Sequence, residues 1–94
     1  MKFEYEKKAN INVGQKLYGI VEVSIYTYDG VQPIIVDRIN YNEDEVIFKV
    51  DQPCRYVSCY FSEMEDFVFE SKEEAENKMS SLEFGVGLRM YQVF

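Results

Sequence analysis

The chain has 94 residues, 47% of them hydrophobic, and a formal net charge of −7 from ten bases and seventeen acids. That composition describes one domain, residues 1–94, with a small core and too many apolar side chains for a disordered chain. Histidine is absent, which removes the usual general base near neutral pH, the serine and cysteine triads, and the commonest zinc ligand.

Phe3 and Tyr5 alternate with Glu4 and Glu6, a short strand with one wet face. The first ten residues, MKFEYEKKAN, hold no apolar stretch of the kind a signal peptide needs. No apolar run is long enough to span a membrane, so a cytoplasmic location is expected. Asn10 to Gln15 contains Gly14 and reads as a turn. Leu17 to Tyr28 is the strongest strand pattern, with Leu17, Gly19, Val21, Val23 and Ile25 on one face and Tyr18, Tyr26 and Tyr28 on the other. Asp29-Gly30 predicts a tight hairpin turn. A return strand follows from about Ile34 to Tyr41, with Pro33 at its entry.

Asn42-Glu43-Asp44 predicts a turn, and Glu45 to Asp51 a strand with Val46, Phe48 and Val50 on one face. Gln52-Pro53 breaks it. Cys54 to Phe61 predicts another strand, with Tyr56 and Tyr60 sharing a face. Ser62 to Asp66 reads as a polar turn, and Phe67 to Phe69 as a short apolar strand. The two cysteines, Cys54 and Cys59, would stand about 16 Å apart in a straight strand at ~3.3 Å per residue. A disulfide needs Cα atoms within about 7 Å, so both read as small apolar residues in a reducing compartment.

Ser71 predicts a helix N-cap, and Glu74 completes a capping box, with the hydroxyl on the N3 amide and the carboxylate on the cap amide. Glu74 and Lys78 form an i,i+4 pair. Ala75, Met79 and Leu82 make one apolar stripe, so a short helix is expected near residues 71–82. Val86 to Phe94 reads as a last strand. The fold class is therefore mainly β (α+β): a small, strongly bent antiparallel sheet or SH3-like barrel, with the late helix as the lid over its apolar end.

Two stretches carry a resemblance. Val13-Gly14-Gln15-Lys16-Leu17-Tyr18 and Val68-Phe69-Glu70-Ser71-Lys72-Glu73-Glu74-Ala75-Glu76 resemble a broad set of small uncharacterised proteins of phages and Gram-positive bacteria. Those are thought to be SH3-like barrels ending in a "VFxSKEEAE" helix. The resemblance spans about residues 13–79 and implies a phage or mobile-element accessory protein. It brings no catalytic residue with it.

Carboxylate catalysis needs two acids across a cleft, one of them desolvated. Glu43-Asp44-Glu45 and Glu63-Met64-Glu65-Asp66 fall in predicted turns, so no enzyme activity, no cofactor and no metal site is expected. The acids are unevenly spread. Residues 41–94 hold twelve acids and five bases, and the densest part, Glu63 to Glu76, has seven acids against Lys72 alone. Such a field repels nucleic acid and anionic membrane and suits a basic partner protein. The expected protein-binding residues are Tyr18, Tyr26 and Tyr28 on an aromatic face, with Glu63, Glu65, Asp66, Glu70 and Glu73 on the acidic stretch. The leading reading is a non-catalytic module that binds a host protein, in its sharpest form an acidic inhibitor of a nucleic-acid-processing enzyme, of the anti-CRISPR kind. The alternatives are a nucleotide-binding sponge, resting on the aromatic face and Arg38, Arg55 and Arg89, and a virion structural component whose apolar C-terminal strand pairs in a homodimer.

Overall fold

A computed structural model of the chain describes residues 11–22, 30–50, 55–83 and 85–91. The described strands are β1 (Lys16–Ile20), β2 (Val31–Asn40), β3 (Glu45–Val50), β4 (Tyr56–Tyr60), β5 (Val68–Phe69) and β6 (Arg89–Tyr91). A 3₁₀ turn (Phe61–Glu63) runs into a short helix α1 (Met64–Phe67), and α2 (Lys72–Met79) follows β5. All six strands join one antiparallel sheet in the order β5-β1-β2-β3-β4-β6. The mainly β class expected from the alternating pattern is the observed one.

The sheet curls until the chain entering β6 meets the end of β1. Leu88, one residue before β6, bridges Val21 just past β1: Leu88 N donates to Ile20 O (2.7 Å) and Glu22 N to Leu88 O (2.9 Å). Gly87 makes this approach possible, because a Cβ there would lie 2.6 Å from Ile20 O and 2.9 Å from Glu22 N. The enclosed core holds Leu17, Ile34, Val36, Val46, Phe48, Val57, Cys59 and Leu88, with Ile11 from the preceding turn.

The lid over this core differs from the expected one. β5 stands at one edge of the strand order and β4 lies next to the other edge, β6, so the chain between them must cross the open end of the curl. Residues 61–67 make that crossing, and Phe61, Met64 and Phe67 point into the core. Their i, i+3, i+6 spacing puts them on one helical face. The predicted polar turn at Ser62–Asp66 is thus a 3₁₀/α segment with one apolar side. The expected lid, α2, lies instead on the outer wall over β1, β2 and β5, where Ala75 packs with Ile20 and Phe69.

The β1–β2 connection is a second correction. Val31 pairs with Ile20, and Val21 N donates to Gly30 O, so no two-residue turn at Asp29-Gly30 joins these strands. The expected strand positions from Val23 to Tyr28 lie outside the described residues, as do the first strand, Cys54 and the end of the last strand. Pro33 sits inside β2, opposite Tyr18. Val36 exchanges bonds with Gly14 and Gln15 on the β1 side, so by alternation Pro33 faces the β3 side. Ile34–Val50 is the last pair of the ladder with β3 among the described residues, so Pro33 stands beyond that pair.

Ser71 caps α2 as expected, with Glu74 N donating to Ser71 Oγ at 3.2 Å. The return half of the box is different: Ser71 Oγ donates to Glu74 Oε1 (3.0 Å), so the carboxylate holds the hydroxyl rather than the cap amide. Lys78 lies 3.5 Å from Asp66, not against Glu74, which ties the end of α2 to α1. Cys59 is a free, buried thiol, 3.6 Å from Met64 Sδ. Burial, and then repulsion from Glu63, push its pKa far up.

Candidate interaction surface

The acidic residues expected to dock a partner are placed by short connections. Only the two residues of β5 and the Glu70-Ser71 turn separate α1 from α2, so the helices adjoin and the Asp66–Lys78 contact closes between them. Glu65, Asp66, Glu70 and Glu73 are all exposed there. Glu63 is diverted from this group. Its carboxylate accepts two bonds from the Arg89 guanidinium, at 2.7 and 2.9 Å, and one from Tyr60 N at 3.0 Å. The Arg89 hydrogen bonds hold the Glu63 pKa below its ordinary value, aided by the Tyr60 amide and partly offset by burial. Tyr18 is half-buried against the Ile20–Phe69–Ala75 cluster beside α2. Tyr26 and Tyr28 lie outside the described residues.

A second surface lies on the outside of β2, β3, β4 and β6. Phe48 and Val57 point inward, so Lys49 and Tyr56 point outward, paired with each other and flanked by Ile35 on β2 and Tyr91 on β6. The next outward row runs Arg38, Ile47, Ser58, Arg89. Strict alternation along β2 would have sent Arg38 inward with Val36. A bulge between Val36 and Arg38 inserts Asp37, which turns Arg38 out and Ile39 in toward the core.

Arg38 then reaches across two strands. Its Nη2 donates to the Tyr91 hydroxyl at 3.0 Å, and its guanidinium carbon lies 5.8 Å from the Tyr91 ring centroid. The pair passes over the row of Ile47 and Ser58, which are 1% and 6% exposed although they sit on the outer face. Arg89 repeats the arrangement nearby, 5.4 Å from the centre of the Tyr60 ring while bound to Glu63. Next to the Arg38–Tyr91 contact lies an open recess of about 410 Å³, lined by Arg38, Ile39, Asn40, Tyr41, Asn42 and Tyr91.

Residue type pointed to Tyr56, Tyr60, Arg38 and Arg89 in the sequence, but no local pattern joined the arginines to the tyrosines. Arg38 and Tyr91 are 53 positions apart. Among the described residues, no group of three or more acidic, cysteine or histidine side chains is gathered to hold a metal ion, and no helix is long and apolar enough to cross a membrane. Compared with protein-family models, curated proteins and solved structures, the chain matches none of them.

Proposed function

We propose that this chain is a small, non-catalytic protein-binding module, an accessory protein of a phage or mobile element. Its partner is a host protein with a basic surface, and the sharpest form of the reading is an acidic inhibitor that occupies the nucleic-acid groove of a processing enzyme. The supporting observation is the exposure of Glu65, Asp66, Glu70 and Glu73 on two adjoining helices that are anchored from beneath, α1 by Phe67 and Met64 and α2 by Ala75. Rigid elements hold these carboxylates out in water, where they steer association with a cationic surface.

The test is capture of bacterial host proteins on the immobilised chain at low and high salt, with identification of what is retained and competition by DNA. The reading expects a nucleic-acid-binding enzyme that is lost at high salt and displaced by DNA. A variant carrying Glu65→Lys, Asp66→Lys, Glu70→Lys and Glu73→Lys should retain nothing of it. Equal retention by that variant would refute the acidic surface as the docking site.

A further inference from the structure

We propose that the recess beside the Arg38–Tyr91 contact is a binding site for a nucleotide, a phosphate carried on an aromatic base. The proposal stands apart from the protein-binding reading and rests on different residues.

The first observation is the state of Arg38. Among the described residues, the partner of this exposed guanidinium is a neutral tyrosine, through its hydroxyl and its ring, and not a carboxylate. Arg89, by contrast, is held by a carboxylate through two hydrogen bonds. A guanidinium has five N–H donors in a rigid plane. The Tyr91 hydroxyl takes one and fixes the orientation of the rest, so the group is positioned but not neutralised. That is the condition in which an arginine fork receives phosphate oxygens at low ordering cost.

The second observation is the lining itself. Among the described residues, Arg38 is the one charged residue on it; the others are Ile39, Asn40, Tyr41, Asn42 and Tyr91. Amides supply a donor and an acceptor to a base edge, and tyrosine faces stack on bases. The volume, about 410 Å³, lies within the range of small-ligand sites, about 300–1,000 Å³.

The third observation is how the site is built. The Asp37 bulge turns Arg38 outward, the β2–β3 turn carries Tyr41 and Asn42, and β6 brings Tyr91 from the other end of the sheet. Tyr41 is steadied from below by an edge-to-face contact with Phe61, ring centroids 6.1 Å apart. Glu43 and Asp44 stand exposed in the same turn. They disfavour a long polyanion, as does the overall charge of −7, which selects a free nucleotide over a nucleic-acid strand.

The test is a titration of the full chain, followed by NMR or calorimetry, with each nucleoside monophosphate, with inorganic phosphate, and with a single-stranded oligonucleotide. At least one monophosphate is expected to bind and to shift the amides of Asn40, Tyr41, Asn42 and Tyr91. Inorganic phosphate should bind at least about tenfold more weakly, and Arg38→Ala should weaken the monophosphate by a similar factor, the worth of one charge-assisted hydrogen bond. Tyr91→Phe, which keeps the ring and frees the guanidinium, should fall between. If Arg38→Ala fails to fold, Asn42→Ala in the exposed turn replaces it, with a smaller loss expected. The proposal is overturned if no monophosphate binds at millimolar concentration, if phosphate alone binds equally well, if only the oligonucleotide binds, or if the variants leave affinity unchanged.

Discussion

Arg89 and Glu63 meet through two nearly parallel contacts, 2.7 and 2.9 Å, across 26 positions of chain. One belongs to β6 and the other to the turn that closes the core, so the pair fastens the last strand to the lid. Glu63 also accepts from Tyr60 N, which fixes the start of the lid.

This pair predicts a pH dependence. The Glu63 pKa is lowered in the folded chain, first by the Arg89 hydrogen bonds. Its contribution to stability is therefore complete above the unfolded glutamate value, about 4.3, and is lost as the pH falls through the lower folded value. Thermal melts at successively lower pH should show a steeper loss for the natural chain than for Glu63→Gln. Identical slopes would remove Glu63 as a contributor.

Gly87→Ala should destabilise the fold by about 2–3 kcal/mol, since the new methyl would overlap backbone atoms of Ile20 and Val21 that cannot swing aside. Denaturant unfolding measures the loss, and the Leu88 amide, bonded to Ile20 O, should lose protection from hydrogen exchange.

The two methionines that follow Phe61 in the helices offer an internal contrast. Met64 is fully buried in the lid, whereas Met79 on α2 is 39% exposed. Met64→Ala should cost about 2–5 kcal/mol, and Met79→Ala under about 1 kcal/mol. Were α2 the true lid, urea midpoints would show the reverse order.

Ser71→Ala removes the acceptor for Glu74 N and should cost about 1 kcal/mol. Cys59, buried and with its pKa driven upward, should resist alkylation in the native chain and react once the chain is unfolded. Peptide mapping after brief labelling reads this directly, and rapid native labelling at Cys59 would contradict its burial.

Sequence reading succeeded where the determinants are local. Ser71 and Glu74 sit three positions apart, and the alternation in β3 is uninterrupted from Val46 to Val50 apart from the buried outer Ile47. It missed the lid because Ser62, Glu63, Glu65 and Asp66 mask the spacing of Phe61, Met64 and Phe67, a helical signal lying in plain view. The outward turn of Arg38 was hidden for another reason. A bulge changes the parity of a strand, and nothing in Val36-Asp37-Arg38 marks one. The meeting of Arg38 with Tyr91 depends on the whole strand order, which no window of sequence contains.

The bridge between Val21 and Leu88 joins parts of the chain that emerge from synthesis far apart in time. Until Gly87 and Leu88 have left the ribosome, the end of β1 around Val21 lacks the partner that Leu88 supplies beyond β5, and neither Arg89 nor Tyr91 can reach the groups they hold. Loop-closure entropy of this size makes such a contact slow to form. Refolding should therefore proceed through a species with β1, β2 and β3 assembled and its last seam still open, visible as late protection of the Leu88 amide in pulse-labelling experiments.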